Sequence, residues 1–230
     1  MWAVVPCKKL VSAKRRLAPV LSASERRCLV SAMLSDVLSV LTNLNALSGV
    51  AVISNDPDLT DLARSLGVQR CMKDSDADLS AALTLASDLL SNDGAKGILA
   101  VPGDLPLLAP DDVMRALDAV AASPSVALAP DQNNQGTNLL AMARPGAIPY
   151  LFGGLSFQAH IAAAQTRGIE SMVIQTEGLS LDIDTEKDLI IFARQCSPTR
   201  TFSYIAESGI RDRLLLDSTD VPLKVRAGGT

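Results

Sequence analysis

Apolar and polar positions follow a repeating rhythm along the chain. A short apolar run gives way to a polar turn, then to a longer stretch in which apolar residues recur every three or four positions. Residues 2–6 read as a buried strand and residues 7–22 as a polar, basic loop. Residues 24–41 predict a helix, with Ser22 or Ser24 as N-cap and Leu29, Met33, Val37 and Leu41 on its apolar face. Further strands are predicted over 50–53, 68–72, 97–101, 126–129, 136–143 and 172–175, and helices over 58–66, 79–90, 110–122, 156–167 and 186–196. A tight polar turn precedes 136–143, which points to an antiparallel run there. This alternation predicts an α/β fold: a mostly parallel twisted sheet with helices on both faces. Residues 1–196 are expected to form one domain and 197–230 a C-terminal extension. Within the extension, 199–216 adds a strand or helix packed on the body or on a partner, and 225–230 reads as a frayed tail.

Composition narrows the function. Aromatics make up only 3% of the 230 residues, so the core rests on Ala, Leu, Val and Ile, as suits helices on a parallel sheet. A net charge of -4 argues against a general nucleic-acid binder. No apolar run approaches a membrane span, and the N-terminal run reads as a strand rather than a signal peptide, so no membrane association and a cytoplasmic location are expected. Cys7, Cys28, Cys71 and Cys196 are widely spaced, without Cys-x-x-Cys or neighbouring histidines. They are expected to be reduced and mostly buried rather than disulfide-bonded or zinc-bound.

In parallel α/β sheets, ligands bind at the carboxyl ends of the strands, and the informative loops sit there. Lys8, Lys9, Lys14, Arg15 and Arg16 place five cations within nine positions, with no acid before Glu25. Such a loop can wrap phosphates or stand as a solvated basic loop, and the charge pattern alone admits either. It has neither the Gly-x-x-x-x-Gly-Lys-Ser/Thr nor the Gly-x-Gly-x-x-Gly spacing. Gly103 allows a sharp turn or close approach that raises Asp104 above the sheet; alone, Asp104 could equally be a turn or capping residue. In Asp182-Ile183-Asp184-Thr185, an extended backbone sends both carboxylates one way and Ile183 inward. Two carboxylates about 5 Å apart repel by roughly 3 kcal/mol at an effective dielectric near 20. Mg²⁺, with its preference for oxygen, is the natural compensation and would also bridge nucleotide phosphates. Asp184 could also cap the last helix. Gly136-Thr137-Asn138 and the Phe152-Gly153-Gly154-Leu155-Ser156-Phe157 turn complete the set; the latter opens a helix whose free N–H groups suit an anion, with Ser156 able to cap it. His160, the only histidine, reads as a surface or packing residue.

Val5-Pro6-x-Lys8 with Lys14-x-Arg16-Leu17, Gly103-Asp104-Leu105-Pro106, Ala129-Pro130-Asp131 with Gly136-Thr137-Asn138, Phe152-Gly153-x-x-Ser156-Phe157 and Leu181-Asp182-Ile183-Asp184-Thr185 occur in order over residues 2–195. Together they resemble the phospholactate guanylyltransferase family, within the glycosyltransferase-A-like nucleotidyltransferases. The resemblance implies an enzyme that joins GTP to 2-phospho-L-lactate, phosphoenolpyruvate or 3-phospho-D-glycerate, releasing pyrophosphate, in coenzyme F-420 biosynthesis. It implies that Asp104, Asp182 and Asp184 hold Mg²⁺ and act in catalysis with Lys14. Lys8, Lys14 and Arg16 would meet the nucleotide phosphates, and Thr137, Gly153 and Ser156 the acid. A homodimer is expected on the same ground. The family's Gly-Pro-Gly-Ser-Phe-like turn reads Gly153-Gly154-Leu155-Ser156-Phe157 here, and its Gly-Leu-Asn before the third helix reads Asp78-Leu79-Ser80. The changed turn leans toward 3-phospho-D-glycerate as the acid. A sugar-phosphate or molybdopterin nucleotidyltransferase on the same scaffold is the alternative enzyme, and a nucleotide-binding module without turnover the alternative to an enzyme.

Overall fold

The computed structural model describes residues 1–10, 13–74, 78–121 and 125–217. Its strands are β1 (Trp2–Pro6), β2 (Gly49–Ile53), β3 (Arg70–Met72), β4 (Ile98–Ala100), β5 (Ser125–Pro130), β6 (Thr137–Met142) and β7 (Glu170–Val173). Its helices are α1 (Ala23–Thr42), α2 (Pro57–Ser65), α3 (Leu79–Asn92), α4 (Pro110–Ala121), α5 (Ser156–Thr166), α6 (Glu177–Ser180), α7 (Glu186–Ala193), α8 (Arg200–Glu207) and α9 (Ile210–Asp217). The strands form one sheet in the order β3-β2-β1-β4-β6-β5-β7. All neighbours run parallel except β6, which is antiparallel to β4 and β5. The reversal follows from the short 131–136 turn, closed by the Asp131 carboxylate accepting from the amides of Asn133 at 3.0 Å and Gln135 at 2.8 Å. So short a connection can join only antiparallel strands.

Alternate strand residues supply two core layers. Val5, Val52, Val101 and Ala127 pack against α1, α2 and α4, while Val4, Ala51, Ile98 and Leu128 pack against α3 and α5. Every residue of β2, β5 and β6 is buried, as expected for strands covered on both faces. A third cluster joins Leu17 and Leu21 of the basic loop to Leu29 and Met33 of α1, Ile183, Phe192 of α7, and Ile205 and Ile210. It anchors the cationic loop and the 182–184 segment to one apolar block. The segment after residue 198 forms α8 and α9 on the body of the chain. The Asp36 carboxylate on α1 caps α8, accepting from the amides of Arg200 at 2.8 Å and Thr201 at 2.9 Å. Residues 225–230 lie outside the described residues.

Several expectations need correction. Residues 7–22 are not merely polar: Leu10, Leu17 and Leu21 are buried, and Arg15–Leu17 forms a 3-10 turn. The cap of α1 is Ser22, in a reciprocal box with Glu25. β7 begins at Glu170, two residues before the expected start, because Gly168 closes α5 with a left-handed φ of 64° and the chain enters the sheet at once. The single turn α6 carries too few positions to show a period. The last body helix, α7, ends at Ala193, short of 196. Its N-cap is Thr185, boxed with Asp188, so Asp184 is free of that role. Ser156 is likewise no cap; it lies inside α5 behind Leu155, whose side chain makes no capping hydrogen bond. The cysteines are not mostly buried: Cys28 and Cys196 are exposed, Cys7 and Cys71 are half-buried, and all four are free thiols.

Candidate functional site

The site lies where the ends of β1 and β4 meet the 182–184 segment. Beyond β4 the chain turns through Gly103, where an added Cβ would lie 3.0 Å from Leu34 Cδ1. That close approach sets Asp104 beside the last segment, whose Ile183 amide donates to the Asp104 carbonyl at 3.2 Å. Ile183 is fully buried, and Asp182 and Asp184 flank it. The inward Ile between two site carboxylates is what the extended segment predicts.

Lys14 links the pieces. Its Nζ donates to Asp104 Oδ2 at 2.5 Å and to Asp184 Oδ1 at 2.6 Å, and its side chain is only 9% exposed. Its backbone is left-handed, at φ 51° and ψ 43°, a conformation that costs a non-glycine residue about 1 kcal/mol or more. The two ion pairs offset that strain. Burial alone would lower the Lys14 pKa, but the charges of Asp104 and Asp184 outweigh it and hold the ammonium charged. Burial would raise Asp184, yet Lys14, then Arg16 and Lys8, pull its carboxyl below the ordinary range. Arg16 stands 3.9 Å from Asp184 and is 76% exposed, so this pair adds little to the fold.

Asp182 is held differently. Asn138 Nδ2 donates to its Oδ1 at 3.1 Å and to the Leu179 carbonyl at 2.9 Å. Burial, then the charges of Asp104 and Asp184, push the Asp182 pKa up to about 6, against the Asn138 hydrogen bond. Asp104 Oδ1 is buried and has no hydrogen-bond partner among the described residues. Nor, among those residues, are three or more His, Cys, Asp or Glu side chains grouped to hold a metal ion; Lys14 engages two of the three carboxylates instead.

Two adjoining clefts share Asp104. The larger, of about 470 Å³, is lined by Lys8, Lys14, Arg15, Arg16 and Asp184 among others. The smaller, of about 110 Å³, is lined by Thr137, Asn138, Phe152 and Asp182. Gly153 and Ser156 line neither. Gly153 sits in an exposed turn, and Ser156 is buried with its amide donating to the Gly153 carbonyl at 3.2 Å.

Sequence reasoning missed two partners. Thr137 and Asn138 are adjacent on β6 and so face opposite ways, Asn138 toward α6 and Asp182, Thr137 toward α5. Thr137 Oγ1 lies 3.0 Å from His160 Nδ1, and His160 Nε2 accepts from the Leu151 amide at 2.9 Å. Nε2 therefore carries the lone pair, and Nδ1–H donates to Thr137, leaving the Thr137 hydroxyl hydrogen for another acceptor. Ser80 Oγ accepts from the Phe152 amide at 2.9 Å, tying the Gly-Gly turn to the start of α3. His160 does take the packing role, fully buried, but it also fixes a site hydroxyl.

That burial lowers the His160 pKa to about 4. With the folded value below the unfolded one, its stabilisation is present above about pH 6.5 and is lost as pH falls toward 4. Urea unfolding should show the gap between wild type and a His160→Phe variant shrinking by about 1–3 kcal/mol from pH 7 to pH 4.5. A gap that stays constant would mean the imidazole is not held neutral.

A family profile described as "Guanylyl transferase CofC like" matches residues 1–220. The chain is 41% identical over 195 residues to a phosphoenolpyruvate guanylyltransferase of Roseiflexus castenholzii, covering 85% of this chain and 89% of that one. It is 39% identical over 187 residues to a 2-phospho-L-lactate guanylyltransferase of Methanothermobacter thermautotrophicus, covering 81% of each. A solved structure described as a candidate nucleotide-diphospho-sugar transferase, from Desulfovibrio desulfuricans, superposes with a TM-score of 0.77 at 19% identity, covering 93% of this chain and 97% of that one. At that identity it speaks for the fold alone, the α/β fold with a mostly parallel sheet expected from the sequence. With the profile spanning nearly the whole chain and curated relatives near two-fifths identity, the protein belongs to the CofC-like guanylyl transferase family.

Proposed function

We propose that this enzyme transfers the guanosine monophosphate unit of GTP to a phosphorylated three-carbon acid, releasing pyrophosphate, in the assembly of coenzyme F-420. The observation that carries the reading is the buried Lys14 ammonium, held between Asp104 and Asp184 at the floor of a basic cleft, in a chain of this family. Lys8, Lys14 and Arg16 bind the triphosphate. The acid's phosphate enters the smaller cleft, where the Thr137 hydroxyl, oriented by His160, donates to it. An oxygen of that phosphate attacks the α-phosphorus of GTP, the bond from the α-phosphorus to the bridging oxygen breaks, and pyrophosphate leaves with the electron pair. The attacking oxygen is already anionic, so no general base is needed; alignment and charge neutralisation do the catalysis.

Asp104, Asp182 and Asp184 would be the carboxylates that hold Mg²⁺, two of them engaged by Lys14 in this structure; bound there, the ion would neutralise charge developing on the leaving pyrophosphate. The unpartnered Asp104 oxygen and the raised Asp182 pKa both fit a cation there. The acid is 2-phospho-L-lactate, phosphoenolpyruvate or 3-phospho-D-glycerate. The homodimer is carried over from the family resemblance, and the cytoplasmic setting from the strand-like N-terminal run; among the described residues no helix is long and apolar enough to cross a membrane. Pyrophosphate release should be seen with GTP and at least one of the acids, and not with CTP and a sugar phosphate. Release only with the latter pair would assign the scaffold to a different nucleotidyltransferase.

A further inference from the structure

The larger cleft does not end at the cationic loop. Its lining also includes Ile53 at the end of β2, Asp74 just past β3, and Leu79 and Ala82 on the first turn of α3. From β4, which carries Asp104 beyond its end, the sheet order runs through β1 and β2 to β3. Three strand spacings separate the two ends of the cleft, about 14 Å at ~4.8 Å each. That span suits a nucleotide lying across the strand ends, with its phosphates at Lys14 and its base toward β3.

Asp74 is fixed there. Its amide donates to Asn55 Oδ1 at 3.1 Å, and Asn55 Nδ2 donates back to the Asp74 carbonyl at 2.9 Å. Both bonds use the Asp74 main chain, not its carboxylate. Its Oδ1 is buried and has no hydrogen-bond partner among the described residues. A carboxylate oxygen withheld from water costs free energy unless something donates to it. The aliphatic side chains of Ile53, Leu79 and Ala82 suit the face of a flat ring.

We propose that Asp74 reads the nucleotide base and selects guanine. This rests on the GTP-dependent reaction above. Guanine presents two adjacent donors on one edge, N1–H and the exocyclic N2–H, which match the two oxygens of a carboxylate. Adenine and cytosine each set an amine beside an acceptor nitrogen, and uracil sets N3–H between two carbonyls, so each brings an acceptor against the carboxylate.

Calorimetric titration of the full-length protein with nucleotide tests the assignment. Wild type should bind GTP about tenfold or more tightly than inosine triphosphate, which lacks the N2 amine. In Asp74→Asn the main-chain bonds to Asn55 are retained, but the amide now donates where guanine donates. GTP affinity should fall by about 10- to 100-fold, while xanthosine triphosphate, with an oxygen at C2, should bind at least as well as GTP. The assignment is overturned if wild type binds the inosine and guanosine nucleotides alike. It is also overturned if the variant keeps GTP affinity within threefold, or if it loses both nucleotides with an unchanged melting temperature. Base selection can be seen in binding even if no acid is guanylylated, so failure of the transfer reaction and failure of this assignment are separate results.

Discussion

Replacing Lys14 with methionine is expected to lower kcat/KM for GTP by about 10²–10³-fold, the usual loss when a preorganised charge donor is removed from a transferring phosphate. Methionine keeps the length and apolar stem of lysine but not the charge, which leaves Asp104 and Asp184 facing one another uncompensated. Stability should fall as well, by about 1–3 kcal/mol. That is less than for a fully buried pair, because the Asp184 side chain is 46% exposed. Arg16→Ala is the contrasting variant. At 3.9 Å and 76% exposure its ion pair adds little to the fold, so the melting temperature should hold while KM for GTP rises. Steady-state kinetics with denaturant unfolding on both variants checks this. If Lys14→Met turned over normally, Lys14 would be a structural tie only.

The Asp182→Asn variant should lose nearly all activity and yet be the more stable protein at neutral pH. The folded pKa of Asp182 is about 6, above its ordinary 3.8, because burial and the neighbouring carboxylates disfavour its charge. The folded state therefore holds that proton more tightly than the unfolded chain. The resulting stabilisation is complete below about pH 3.8 and is lost as pH rises through 6. Above that, the ionised carboxylate costs about 1–3 kcal/mol. Asparagine removes the charge while its carbonyl still accepts from Asn138. Thermal unfolding in a chelating buffer should place the variant above wild type at pH 7.5, with the difference closing toward pH 4. A variant less stable than wild type at pH 7.5 would show that the Asp182 charge supports the fold rather than the chemistry.

The architecture was largely legible because each strand and each long helix spans enough positions for its period to show, and even the antiparallel β6 announced itself through the turn before it. The residues that meet in the larger cleft were legible for a similar reason. A cationic run after the first strand, Gly103-Asp104 after β4 and an Asp-x-Asp segment each occupy a strand end or a single short stretch. What escaped depends on contacts between distant elements. Nothing near Asn138 in the sequence indicates that it holds Asp182, and no spacing reveals that His160 fixes the proton on Thr137. The sequence offered Asp184 as a cap for the last body helix, but Thr185 takes that role, its amide donating to the Asp188 carboxylate at 2.8 Å. The glycine turn shows the reverse. Its pattern is plain in the chain, yet Gly153 and Ser156 line neither cleft.

The most direct test is to give the protein GTP, Mg²⁺ and equal amounts of 2-phospho-L-lactate, phosphoenolpyruvate and 3-phospho-D-glycerate, and to weigh the nucleotide products by mass spectrometry. A guanosine diphospho-acid should form in step with pyrophosphate, with the favoured acid named by its mass. GTP recovered intact beside all three acids, from protein that is folded and binds the nucleotide, would contradict it.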